Sequence, residues 1–235
     1  YVIYGYAGVG NGQTLTMEPG ARVHFHAESG IIVTQGGTLS INGDLSTDQD
    51  LLENEVILEG DRLEPLYEDI PGQWDRIWLY PGSINNEFTY ANFQNGTIAI
   101  HSDTIGNQNP TAIINNCRID NMSAIGILGQ GSKLEVNNTI ITKCGQYSVV
   151  CNIGGDYSFR HCTFANYWNF DHRNTPSVLL NNYYEWLTER FSYHECIGFY
   201  GRYALFIILV FPMLLITNRS IISNNKIYLI SFFIM

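Results

Sequence analysis

Basic residues are scarce in this chain: 12 Lys and Arg stand against 22 Asp and Glu, a formal net charge of −10 over 235 residues. Phosphate binding depends on clustered Lys and Arg, so nucleic acid is not an expected partner. Cysteine is sparse too, at positions 117, 144, 151, 162 and 196. No CxxC or Cys/His spacing suited to zinc occurs, and no metal ligand set is assigned. No apolar run reaches membrane length. Tyr203 to Thr217 is 15 uncharged residues interrupted by Pro212, about 22 Å as a helix against a hydrocarbon core of roughly 30 Å. A signal peptide is also missing, since the chain opens at Tyr1 and its first Met is Met17. The true start is therefore expected upstream.

What is there is a repeat. Leu15/Met17, Val23/Phe25, Ile31/Val33 and Leu39/Ile41 recur at a strict period of eight. Each pair is i, i+2, so both side chains point to one face of a short strand. Pro19 and Gly20, Ser29 and Gly30, Gly36 and Gly37, and Asn42 and Gly43 fill the gaps with turn residues. Three such units make a turn of about 24 residues, within the range of stacked repeats. A longer frame follows. Phe88-Thr-Tyr90-Ala91-Asn-Phe93 aligns with Ile114-Asn-Asn116-Cys117-Arg-Ile119, Val136-Asn-Asn138-Thr139-Ile-Ile141 and Phe159-Arg-His161-Cys162-Thr-Phe164 at offsets of 26, 22 and 23. Asn95, Asn121, Lys143 and Asn166 line up as well.

The pattern predicts an all-β fold, a single-stranded parallel β-helix over 1–185. A right-handed sense is expected from the rule for parallel crossovers. Leu15, Val23, Ile31, Leu39, Phe88, Ile114, Val136 and Phe159 should be buried, with Asn116 stacked over Asn138 in a buried amide ladder. Cys117 and Cys162 sit at equivalent repeat positions, about 9.6 Å apart if two coils separate them. That is too far for a disulfide, and both are expected as small interior fillers. Cys144 and Cys151 are near enough in sequence to close a small loop.

Two stretches break the repeat. Residues 44–75 hold 11 of the 22 acidic residues. Val56-Ile57-Leu58 there is a strand, and about 60–76 is expected as a lateral acidic loop, after which Ile77-Trp78-Leu79 resumes the coil. From 186 to 235 the repeat is lost. No acidic residue follows Glu195 and no glycine follows Gly201. A marginal membrane segment, a hydrophobic cap and an out-of-frame translation all remain open, and the Ile/Leu/Phe/Asn/Tyr/Lys bias favours the last.

Leu15-Thr-Met-Glu-Pro-Gly-Ala-Arg-Val-His-Phe-His26 resembles the opening coil of bacterial right-handed parallel β-helix proteins. Glu59-Gly-Asp-Arg-Leu-Glu-Pro65, Pro71-Gly-Gln-Trp74 and His161-Cys-Thr-Phe-Ala-Asn-Tyr-Trp168 resemble a narrower group of them, uncharacterised exported or lipid-anchored surface proteins of Gram-negative bacteria. The likeness spans about 1–185. It implies export to the cell surface, with membrane attachment only through an N-terminal lipid anchor outside this sequence, and it supplies no activity.

The β-helix class includes pectin and alginate lyases and polygalacturonases. A lyase would need carboxylates around Ca²⁺ and a basic side chain as proton acceptor. A glycosidase would need two carboxyls flanking the bond. Glu87, Asp120 and Glu135, with Arg118 and Arg160, are on the aligned coils, but no two carboxylates share a repeat position and no catalytic set is assigned. The leading expectation is a non-enzymatic protein that needs no cofactor and presents the loop to a polysaccharide or surface partner. Asp61, Arg62, Glu64, Tyr67 and Asp69, with Trp74 and Trp78, are the candidate ligand residues, because carboxylates bind sugar hydroxyls and aromatic rings stack on the C–H face. A polysaccharide lyase or hydrolase, with Ca²⁺ in the lyase case, and a purely structural spacer are the alternatives. His24 and His26 share an outward face, but no third ligand for a metal is evident.

Overall fold

The eight-residue pairs become successive strands of a solenoid. A computed structural model describes residues 1–103, 109–165 and 167–181 in full, and the backbone of two further strands at 191–193 and 196–200. The four pairs fall on Thr14–Met17, Arg22–Phe25, Gly30–Val33 and Thr38–Asn42. Thr14 pairs with Thr38, so three strands complete one turn. Among the described residues, three sheets of eight, seven and seven strands form the sides. Every strand pairing in them is parallel. Successive strands in sequence go to different sheets, so no hairpin is required and each sheet grows by one strand per turn.

The longer frame holds in register. Ile114 pairs with Phe88 on one side and Val136 on the other, and Val136 pairs with Phe159. Alternation then buries one face of every strand. Val23, Ile31, Leu39, Phe88, Ile114, Val136 and Phe159 are all in the core. Leu15 is only half-buried, because it lies on the first coil and packs against a neighbour on one side alone. Stacked rings cross the interior, with Phe25 against Trp74 at 4.7 Å between centroids and edge-on pairs Phe88–Phe93 and Phe159–Phe164.

The slot shared by Ala91, Cys117, Thr139 and Cys162 is closed to solvent. Its polar members donate to the carbonyl two residues back: Cys117 to Asn115, Thr139 to Asn137 and Cys162 to Arg160. A small side chain with a short donor satisfies both the space and the corner carbonyl. Cys117, Cys144, Cys151 and Cys162 are free thiols, so the short Cys144–Cys151 loop is not closed by a disulfide.

The corners explain the asparagines. Tyr90, Asn116, Asn138 and His161 turn the chain from the third sheet into the first with φ between 46° and 54°. Asn95, Asn121 and Lys143 turn it from the first sheet into the second with φ of 61°, 58° and 47°. This left-handed conformation suits Asn better than other residues with a Cβ. The Asn138 amide does donate to Asn116 Oδ1, at 3.3 Å. That ladder is not buried, since Asn116 is half-buried and Asn138 exposed. The buried ladder is at the other corner, where Asn121 Nδ2 donates to Asn95 Oδ1 at 2.7 Å.

Past 181 the backbone of Phe191–Tyr193 pairs with Tyr157–Phe159, and Cys196–Tyr200 with Cys162–Ala165. These pairings continue two sheets beyond 185. The expected boundary at 185/186 and the apolar segment 203–217 both lie outside the described residues.

Candidate functional site

The acidic stretch is two insertions at two corners. Residues 43–55 leave between the strands Thr38–Asn42 and Val56–Gly60, and residues 61–73 between Val56–Gly60 and Trp74–Leu79. Arg22 holds the first, donating to the carbonyls of Leu52 and Glu55 at 2.6 and 2.8 Å.

The second insertion stands at the corner between the first and second sheets, the corner of the buried Asn ladder. Its root is fixed by Asp61, whose amide donates to Phe25 O and whose carboxylate meets His26 Nδ1 at 2.7 Å. A single 3₁₀ turn, Pro65–Tyr67, follows, with the Arg62 guanidinium 4.8 Å from the centre of the Tyr67 ring. Gln73 reaches back to the carbonyls of Tyr67 and Ile70. The ladder then grips the loop from below: Asn95 Nδ2 donates to Glu68 O at 2.8 Å and Asn121 Nδ2 to Asp69 O at 2.9 Å. Loop 61–73, rooted in the third coil, is thereby laid across the fourth and fifth.

A third insertion, residues 166–177, leaves the same corner four coils further on, between Cys162–Ala165 and Val178–Asn181. It carries Tyr167, Trp168, Asn169 and Phe170, all exposed except the half-buried Trp168. Trp168 leans back on the sixth coil. A Cβ on Gly145 would lie 3.1 Å from its ring and 2.2 Å from Ser123 O, so only glycine allows this approach. Nε1 of Trp168 donates to Asp171, and its ring lies 4.9 Å from Phe170.

Between the loops opens a cleft of about 110 Å³. Asp69 forms one wall, Tyr167, Trp168 and Phe170 the other, and Asn121 and Lys143 the floor. Enclosing small-molecule pockets run to roughly 300–1,000 Å³, so this volume suits one ring at a time. The Lys143 ammonium is 3.7 Å from Asp120 Oδ2, which also lies 3.8 Å from Arg118. Asp69 is the one carboxylate among the described lining residues.

Of the seven residues expected to bind ligand, Asp69 lines the cleft. Asp61 anchors the root beside His26, Arg62 and Glu64 are exposed on the loop, and Tyr67 is half-buried beneath Arg62. Trp74 is a correction. It is 1 % exposed, stacks on Phe25 and donates Nε1 to Gln94 O, so its ring belongs to the core and is out of reach of a sugar. Trp78 is half-buried on the outer face of the second sheet. There it stacks on Tyr80 and His101, at 4.6 and 4.9 Å, with the Arg76 guanidinium 5.5 Å from its ring. His101 Nε2 faces Gln130 Oε1 at 3.1 Å and its Nδ1 faces Arg76 Nη1 at 3.3 Å. Arg can only donate, so Nδ1 is the acceptor and the proton sits on Nε2. Burial holds the His101 pKa below its usual value.

The sequence reading missed the aromatic wall, although Tyr167 and Trp168 closed one of the quoted strings. It also missed the partners of the outward histidines. His24 Nδ1 lies 3.4 Å from Glu59, and His26 2.7 Å from Asp61. Insertion 43–55 displaces these carboxylates from the 24-residue count that would have found them. Among the described residues, no three His, Cys, Asp or Glu side chains converge as a metal site would need. Burial pushes the thiols of Cys117 and Cys144 up to about 12, so neither is a thiolate near neutral pH.

The fold defines the class, a parallel β-solenoid, here with two lateral loops at one corner and the insertion 43–55 at another. Comparison with protein-family models, with curated proteins and with solved structures finds no match for the chain.

Proposed function

We propose that this β-solenoid is an exported, non-enzymatic protein that binds a glycan in the cleft between its two lateral loops. One observation carries this reading: loops about a hundred residues apart in sequence leave the same corner and set an exposed aromatic wall opposite a carboxylate, over an amide and an ammonium. A pyranose needs those elements, a flat apolar surface for its C–H face and mixed donors and acceptors for its hydroxyls. Hydrolysis by the two-carboxylate route would need a second acid across the bond, and Asp69 has no such partner among the described lining residues. Export is supported by the likeness of the quoted strings to surface β-helix proteins.

The test is a glycan array followed by calorimetry on the full chain. Wild type should bind a subset of glycans, and Trp168→Ala should abolish that binding while leaving the melting temperature near that of wild type. An array without hits, or unchanged binding by the variant, overturns the proposal. Release of unsaturated or reducing ends from acidic polysaccharides, with or without Ca²⁺, overturns its non-enzymatic part. Retention in the cytoplasm when expressed from its native gene overturns export.

A further inference from the structure

Resting on the glycan reading, we propose that the cleft selects an uncharged pyranose ring, and that Lys143 sets this specificity by donating to a ring hydroxyl whose neighbour is bound by Asp69. Lys143 occupies the ladder position held by Asn95 and Asn121 in the two preceding coils, and keeps their left-handed backbone at φ 47°. A lysine gains nothing from that conformation, whereas Asn is favoured in it. An Asn here would also donate to Asn121 Oδ1, as Asn121 donates to Asn95 Oδ1. Lysine forgoes both. The amide ladder from Asn121 to Asn95 is therefore not continued by Lys143 at the floor of the cleft. Strain held at the floor of a cleft motivates a functional reading.

Charge then decides the ligand. The ammonium lies 3.7 Å from Asp120, too long for a hydrogen bond, so it keeps its N–H donors, while Asp120 divides its negative charge between Lys143 and Arg118. Asp69 faces the cleft as an exposed carboxylate, and the whole chain carries −10. Asp69 and Asp120 are matched by Lys143 and Arg118, so the floor and wall together are close to neutral and an acidic sugar would bring an unbalanced charge against Asp69. A neutral ring instead takes a donor from Lys143 and an acceptor from Asp69, and lays its C–H face on Tyr167 or Trp168. Vicinal hydroxyls supply that donor–acceptor pair; a carboxylate does not.

The experiment uses the full chain, an array holding matched neutral, uronic and amino-sugar termini, and titration of the best hit against wild type, Lys143→Asn and Asp69→Asn. The hit should end in a neutral ring, with its uronic counterpart bound about tenfold more weakly or worse. Lys143→Asn should weaken the neutral ligand about tenfold and leave the melting temperature unchanged or raised, because the substitution completes the ladder. A simple packing role for Lys143 predicts the reverse, a lower melting temperature with binding retained. Equal or tighter binding of the uronic or amino sugar overturns the proposal, and so does unchanged affinity in Lys143→Asn. If no glycan of any charge binds, the glycan reading falls and takes this inference with it; glycan binding with the wrong charge preference removes this inference alone.

Discussion

Single residues in this solenoid answer to the side of the sheet they face. Trp74 and Trp78 are four apart on one strand, yet one is in the core and the other in an outer stack. Trp74→Ala should cost about 3–5 kcal/mol in urea unfolding, the range for deleting a buried aromatic ring. Trp78→Ala should cost nearer 1 kcal/mol, because its ring is partly solvated. His101 gives a pH signature. Burial lowers its folded pKa, Gln130 opposes the shift and Arg76 adds to it. A histidine depressed in this way binds its proton less readily folded than unfolded. Its contribution to stability is whole above about pH 6.5 and is lost as pH falls through the lowered folded value. The slope from one such group is at most about 1.4 kcal/mol per pH unit. Melting temperatures between pH 5 and 8 should therefore fall less steeply on the acid side in His101→Gln than in wild type; parallel profiles would show that other groups carry the dependence.

Elements are separable because each loop leaves and rejoins the coil at neighbouring points. Phe93 pairs with Leu58 and Gly96 with Trp74, which puts Gly60 level with Asn95 at the corner. All of 61–73 is thus inserted between a corner residue and the strand after it. Deleting 61–73 and joining Gly60 to Trp74 should give a folded solenoid, since glycine accepts the left-handed corner that Asn95 adopts. Asn95 and Asn121 would lose their loop carbonyls but gain water. Circular dichroism should keep its β-sheet signal while glycan binding disappears; an unfolded deletion would show that the loop is structural. The strands were legible in the sequence because two inward residues every eight positions leave a mark in composition. The loops were not, for two physical reasons. Val56-Ile57-Leu58 reads as a strand inside the acidic stretch, but nothing local shows that its two flanks leave from different corners, and Trp74 reads as part of the polar run it follows. Convergence of Asp69 with Trp168 is set by coil stacking and has no local trace. The ladder position of Lys143 was visible, but its chemistry emerges only once loops stand on both sides of it.

Over the whole molecule, stability is the sum of coil energies and contacts between neighbouring coils, so damage stays near where it is made. Excising one complete turn, residues 117–138, joins Asn116 to Thr139, which occupies in the next coil the place that Cys117 holds after Asn116. The shortened chain should still melt cooperatively, with a β-sheet signal reduced by about one turn. Failure to fold would show that the coils are not interchangeable. The shared corner also fixes how the cleft can change. Its walls are rooted four coils apart, about 19 Å along the axis at 4.8 Å per strand. Because the chain must close each turn before it climbs, that separation has no intermediate settings. Gaining or losing a coil moves the walls by a whole rung, while a substitution within a coil alters what lines the gap and leaves its span alone. Ligand length and ligand chemistry are thus adjusted by different kinds of genetic change, duplication for the first and point mutation for the second.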